Sequence, residues 1–358
     1  MKRSHLTLMS LTAGLLLSAG LILSQNAAAP APGAAKGKGV IKGSDAPFKG
    51  KVEKIKVHGK SLEGNLEGDS ADRDVFIYLP PSYGTQPNRR YPVVYFLHGY
   101  GIGAEAYFNM MTVPQSAEAA IAAGGKEMIL VHPDSFTVHN GSMYSNSPTT
   151  GDWETFMAEE LVSYVDSHYR TVANRNSRGL AGHSMGGYGA FRIGMKFPNI
   201  FSSLYPMSSC CLMNNPNSTL GGAVATTGKG KGQAGGGTTP ALAAAWSANP
   251  KNPPTFYDLP VQDGEYKAEI GAKWLANSPL AMVDQYWTNL KKYKAIMMDI
   301  GLQDTLLNGN RDMDAALTKL GVPHAYETYE GDHTNRVRER FEKSVLSFFS
   351  KNLDFPTR

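Results

Sequence analysis

The sequence predicts an α/β protein, a mostly parallel central sheet with helices on both faces. Short β-rich runs alternate with segments of helical period across most of the 358 residues, the trace that strand–helix–strand units leave. A hydrophobic share of 42% and an aromatic share of 10% can build a sizeable core. The charged share of 18% lies below the ~25% of an average globular chain and excludes charge-driven disorder of the whole. At ~150 residues per domain the length suggests two domains, but α/β folds commonly spend about 250 or more on one. One domain is expected over residues 47–352, with a tail at 353–358.

In chain order, Lys2 and Arg3 precede an apolar run from Leu6 to Leu23, and the small residues Ala27–Ala29 follow. That is the charged, apolar and small-residue order of a secretory signal. Ser10, Thr12, Gly14, Ser18 and Gly20 dilute the run, which favours a cleaved signal over residues 1–29 against a membrane anchor. An exported protein, periplasmic or extracellular, is therefore expected. Residues 30–46, rich in Ala, Pro, Gly and Lys, read as a flexible leader. From Lys51 the runs KIKVHGKSL, DVFIYLPPSY and YPVVYFLHG read as strands, and MILVHPD (128–134) as another. Trp153, Phe156, Met157, Leu161, Tyr164, Val165, His168 and Tyr169 recur at intervals of three and four, one helix face, with Asp152 as its N-cap. SRGLAG (177–182) is a strand and 186–197 a helix; IFSSLYPMS and YKAIMMDIG are two more strands. Val337, Phe341, Val345, Phe348 and Phe349 form a last helical stripe. One stretch breaks the rhythm. Residues 212–240 hold so much Gly, Thr and Asn that they read as a disordered surface loop, with a lid as the alternative. Residues 241–290 recover apolar content and are expected as helices on one side of the sheet, making 212–290 an insertion or cap region.

The net charge is +4, and loss of Lys2 and Arg3 would leave 33 basic against 31 acidic residues. With no Lys/Arg stripe to neutralise phosphates, a dedicated nucleic-acid binder is excluded. Cys210 and Cys211 supply neither a disulfide framework nor a metal-ligand spacing, and no metal or organic cofactor is implied.

The sharpest chemical signal is Gly182-His183-Ser184-Met185-Gly186-Gly187, between a strand and a small-residue helix. A serine on such a turn needs a strained backbone and flanking glycines, and the helix N-terminus behind it favours developing negative charge. Ser184 is the candidate nucleophile. A serine requires a base, and in this kind of chain order the base comes last, after the acid. His333 fits, in the loop Gly331-Asp332-His333-Thr334 before the last helix. His5 lies in the signal, His58 is too early, His183 points elsewhere on the turn, and His168 reads as a core residue. His324 begins the preceding strand. The acid must hold the imidazole tautomer. Asp304 follows the strand end in Gly301-Leu302-Gln303-Asp304, whereas its main rival Asp299 lies inside the strand. Two backbone N–H donors are needed for a tetrahedral oxyanion. Met185 supplies one; Tyr100, in the turn Leu97-His98-Gly99-Tyr100-Gly101, is the candidate for the other, with His98 as an internal hydrogen-bonding residue.

The motifs YLPPSY, YPVVYFLHGYG, NSPTTGDWETF, LAGHSMGGYGAFRIGMKFP, GLQD and GDH, in that order, resemble the esterase D branch of the α/β-hydrolases. That group holds feruloyl esterases, S-formylglutathione hydrolases and mycolyltransferases. The resemblance covers roughly residues 51–352 and implies the α/β-hydrolase fold with a Ser184–Asp304–His333 triad. It also implies that the loop before Trp153 borders the acyl pocket, with Tyr144 and Trp153 as substrate-contacting residues. The adjacent Cys210 and Cys211 keep two readings, a strained vicinal disulfide after export or two buried free thiols.

The reading is an exported serine esterase acting on a small-molecule or polymer-borne ester through an acyl-enzyme. It has no nucleic-acid partner and no stable membrane insertion after cleavage. One alternative is an acyltransferase that moves the acyl group to a sugar or lipid alcohol. Another, from a different class, is a non-catalytic binding module on a hydrolase fold.

Overall fold

A computed structural model describes residues 45–213 and 237–356. The expected signal, nearly all of the expected leader and most of the Gly/Thr-rich stretch lie outside the described residues.

Eight strands form the central sheet: β1 (Lys51–His58), β2 (Asp72–Leu79), β3 (Val93–Leu97), β4 (Ile129–Pro133), β5 (Arg178–His183), β6 (Ser203–Met207), β7 (Ala295–Gly301) and β8 (Ala325–Tyr329). Their spatial order is β1-β2-β4-β3-β5-β6-β7-β8. β2 pairs antiparallel with β1 and β4, and every pairing from β4 onward to β8 is parallel. The helices are α1 (Ala104–Met110), α2 (Val113–Ala122), α3 (Trp153–Thr155, Phe156–Glu160 and Leu161–His168), α4 (Met185–Lys196), α5 (Thr239–Trp246), α6 (Ala268–Ala276), α7 (Pro279–Leu290), α8 (Leu307–Lys319) and α9 (Val337–Arg340, Phe341–Val345 and Leu346–Asn352).

β3 shows why its strand reads as an unbroken apolar run. Val93, Tyr95 and Leu97 join the core on one face and Val94 and Phe96 the core on the other, and none of the five exceeds 1% exposure. The second face is covered by α1, α2 and α9, and the first by α3 through α7 together with α8. Both long helical stripes contain a π-helical turn, Phe156–Glu160 in α3 and Phe341–Val345 in α9. An inserted π-turn rotates the face that follows it. In α3 the buried stripe therefore continues through Leu161, Val162 and Val165, while His168, expected in the core, is exposed and stacks on Tyr164. Asp152 takes the N-cap position without a side-chain cap bond; Asn146 Oδ1 accepts the Glu154 N–H instead, at 2.7 Å.

The apolar segment 241–290 forms helices α5, α6 and α7 on one side of the sheet, as its composition suggests. Ala241–Trp246, Trp274, Met282 and Val283 belong to the same buried cluster as β3, and α7 packs on α4. Among the described residues no helix is long and apolar enough to cross a membrane.

Candidate active site

The parallel strands end along one edge of the sheet. β3 pairs with β5 so that Leu97 faces Gly182, and β5 with β6 so that His183 faces Met207. The chain leaving those ends builds the site, where side chains escape the covered faces.

Ser184 sits between β5 and α4 with φ +58° and ψ −113°, a conformation costly for a residue with a Cβ. Its N–H donates to the Met207 carbonyl at 3.0 Å and its carbonyl accepts the Tyr188 N–H at 3.0 Å. The flanking glycines are required by close approach. A Cβ on Gly182 would lie 2.3 Å from the Gly186 carbonyl oxygen, and one on Gly186 would lie 1.9 Å from the Leu97 carbonyl oxygen. The turn thus presses β5, the start of α4 and the end of β3 together and leaves Ser184 partly exposed.

Asp304 and His333 come from the loops after β7 and β8, which are tied to each other. Gln303 N–H donates to the Gly331 carbonyl at 3.0 Å, and the Gly331 N–H donates to Gln303 Oε1 at 2.8 Å. A Cβ on Gly301 would lie 2.1 Å from the Gly331 carbonyl oxygen. His333 Nδ1 lies 2.8 Å from Asp304 Oδ2, and His333 Nε2 lies 2.9 Å from Ser184 Oγ. A carboxylate only accepts, so Nδ1 carries the proton and Nε2 presents a lone pair to the serine hydroxyl. Burial opposes charge on Asp304, but the His333 bond and the Leu306 N–H, 2.9 Å from Oδ1, hold its carboxyl below the usual carboxylate range. Asp299 is elsewhere. Fully buried, it accepts from Tyr205 at 2.8 Å and Arg340 Nε at 2.7 Å, and burial raises its pKa against the pull of Arg340.

Of the expected oxyanion donors, Met185 follows the nucleophile and Tyr100 lies in the loop after β3. Met185 N–H is the first of α4 and has no partner within the helix. The β3 loop reaches the serine at Gly99, where a Cβ would stand 3.7 Å from Ser184 Cβ. His98 orients the next peptide. Its Nδ1–H donates to the Gly99 carbonyl at 2.8 Å, and its Nε2 accepts the Ser135 N–H at 2.8 Å. Burial lowers the His98 pKa, consistent with a neutral ring in this one tautomer. The Gly99 carbonyl and the Tyr100 N–H share a planar trans peptide and point in opposite directions, so anchoring one aims the other. Neither Tyr100 N–H nor Met185 N–H meets a backbone acceptor among the described residues.

Two expectations are not met. Tyr144 and Trp153 are at most 1% exposed and have their polar atoms engaged: Tyr144 OH donates to the His98 carbonyl at 3.0 Å, and Trp153 Nε1 to the Thr150 carbonyl at 2.8 Å. They brace the loops behind the site rather than face a substrate. Gln303, by contrast, gave no sign of its bridging role beyond its place next to Asp304 in GLQD. Cys210 and Cys211 are free, partly exposed thiols with Sγ atoms 2.7 Å apart, and the Cys210 N–H donates to the Ser184 carbonyl at 3.1 Å. Among the described residues no group of three or more His, Cys, Asp or Glu is placed to hold a metal ion. An open cleft of about 1590 Å³ between Arg89, Arg90, Lys126 and Phe355 lies by the starts of the parallel strands and shares no residue with this constellation.

Sheet order, serine elbow and a Ser–His–Asp relay at the strand ends define an α/β-hydrolase fold with a serine-hydrolase constellation. The chain belongs to the Esterase family, whose sequence model matches residues 70–345. A Mycobacterium tuberculosis protein named as an esterase is 26% identical over 285 residues, 73% of this chain and 52% of the relative. The chain thus spans about half the length of the curated relatives it matches. Among solved structures, a ferulic acid esterase superposes with a TM-score of 0.63 at 23% identity, covering 86% of this chain and 99% of that one. An S-formylglutathione hydrolase from Agrobacterium tumefaciens gives 0.58 at 16% identity, covering 87% and 98%. Both share the fold.

Proposed function

We propose that this chain is an exported serine esterase that hydrolyses carboxylic esters through an acyl-serine intermediate. The observation that carries the reading is the continuous relay from Ser184 Oγ through both ring nitrogens of His333 to Asp304. As Oγ attacks the ester carbonyl carbon, His333 Nε2 takes its proton, and the charged Asp304 offsets the imidazolium. The oxyanion falls between the N–H groups of Tyr100 and Met185, where one such donor is worth about 3 kcal/mol of barrier. The imidazolium then protonates the departing alkoxide, and the acyl group stays on Ser184. Water repeats the cycle: His333 removes its proton, the hydroxide attacks the acyl carbon, and Ser184 leaves with its proton restored.

Export rests on the Lys2–Arg3, apolar and Ala27–Ala29 sequence at the N-terminus. Feruloyl and related aryl esters are the first substrates to try, because a ferulic acid esterase shares the fold over nearly its whole length. A fluorophosphonate should label Ser184, and Ser184→Ala should abolish turnover apart from a residual of about 10³ over water. An adduct on another serine, or near-normal turnover in that variant, overturns the reading. Product analysis with an added alcohol separates hydrolysis from acyl transfer: free acid should predominate. An N-terminal peptide retaining Lys2 in the mature protein would refute export with cleavage.

A further inference from the structure

His183 precedes the nucleophile but plays no part in the relay. It closes β5 at 3% exposure, with its ring 4.7 Å from the ring of His333 and tilted 38° to it. Its Nε2 lies 2.8 Å from the backbone carbonyl oxygen of His333. A carbonyl only accepts, so Nε2 carries the proton and Nδ1 is left as an acceptor. The Tyr107 hydroxyl is in hydrogen-bond contact with that Nδ1 and therefore donates to it. Tyr107 is 3% exposed, stands on α1 just beyond the oxyanion loop, and has its ring 3.4 Å from where a Gly99 Cβ would be. One buried line thus runs from Tyr107 O–H to His183 Nδ1, and from His183 Nε2–H to the His333 carbonyl.

We infer that His183 is a positioning residue: it holds the backbone of His333 from behind and so sets the reach of His333 Nε2 to Ser184 Oγ. This rests on the serine-esterase reading above. His333 sits in an irregular loop whose backbone has little ladder bonding of its own, while its ring must satisfy Asp304 and Ser184 together. A fixed hydrogen bond to the carbonyl of that same residue removes the freedom most damaging to this geometry. The groups facing His183 are Tyr107, His333 and Asp304. Burial, reinforced by His333, pushes its pKa down to about 3, so it stays neutral beside the imidazolium formed in each cycle.

The test measures kcat and KM on an aryl ester with the full chain. His183→Phe keeps an aromatic ring and deletes both bonds. Its kcat should fall about 10²-fold, the loss that ~1 Å of misplacement brings, while KM changes less than about twofold. His183→Gln, whose amide can donate to the same carbonyl, should recover to within about tenfold of wild type. Tyr107→Phe removes the far donor and should lower kcat several-fold at unchanged KM, and it decides the matter if His183→Phe fails to fold. Undiminished kcat in the folded variants, a loss confined to KM, or a Gln variant as impaired as Phe overturns the inference. Fluorophosphonate labelling of wild type separates the two levels. Failure to label Ser184 overturns the esterase reading, whereas labelled Ser184 with undiminished kcat in His183→Phe overturns this inference alone.

Discussion

Ser184 holds a positive φ that only glycine adopts without cost. Such strain is worth about 1–3 kcal/mol, against roughly 0.5–1 for the extra freedom of an unfolded glycine. Ser184→Gly should therefore unfold at higher urea than Ser184→Ala, with both inactive; equal midpoints would show the turn to be unstrained. The two aspartates separate on the same scale. Asp304→Asn keeps the shape but admits the wrong imidazole tautomer, and turnover should fall about 10⁴-fold in a folded protein. Asp299→Asn weakens the buried pair with Arg340, which Glu327 also holds at 2.7 Å, so it should cost about 2 kcal/mol of stability and little rate per folded molecule. The reverse pattern would reassign the acid. Chain order pointed to Asp304 because a residue beyond a strand end can turn, whereas Asp299 is locked against Tyr205 and Arg340. Tyr144 and Trp153 were not legible in this way, since nothing local tells an aromatic that lines a pocket from one that backs it.

At the scale of elements, the elbow is legible because its glycines answer to contacts the motif always makes. Gly186→Ala would drive a Cβ to 1.9 Å from the Leu97 carbonyl oxygen, a backbone atom with no room to yield. It should cost about 3 kcal/mol or more and end labelling of Ser184. Gly64→Ala, at φ +71° with open space around its Cβ position, should cost about 1 kcal/mol and leave labelling intact. Similar melting temperatures for the two would show that packing at the elbow is looser than a 1.9 Å approach implies. The helix over 153–168 was legible with most of its face, since Trp153, Phe156, Met157, Leu161 and Val165 are buried as its period implies, but not in its last turn. Its π-turn inserts a residue that a 3.6 period cannot anticipate, and the stripe passes to Leu161, Val162 and Val165 while His168 turns outward.

For the whole molecule, the buried neutral histidines weaken the fold in acid. Burial pushes His183 and His132 down to about 3 each, below the ~6.5 of an unfolded histidine. Between those values the unfolded chain binds protons that the folded chain refuses. Their share is then full above pH ~6.5 and falls by about 1.4 kcal/mol per pH unit for each histidine as the pH drops. Asp304, lowered instead, contributes above the ordinary carboxylate pKa and loses its share only as the pH falls through its folded value, while Glu67, pushed by burial up to about 7, works against the histidines by binding a proton in the folded chain between pH 7 and 4.5. His132 lies among Phe96, Phe108 and Phe341 with Nε2 unpartnered. Urea unfolding of His132→Phe from pH 7 to 4.5 should show a slope shallower by about 1.4 kcal/mol per unit; an unchanged slope would remove His132 from the account. The α/β layering and the glycine-flanked serine turn were legible in the sequence. Each depends on periodicity, glycine placement and strand ends, which neighbouring residues encode. Only the folded chain shows that Tyr144 and Trp153 are buried with their polar atoms engaged, and that His183 reaches the backbone of His333, 150 residues away. Those depend on which surfaces meet after the strands pair, and no local pattern carries that information.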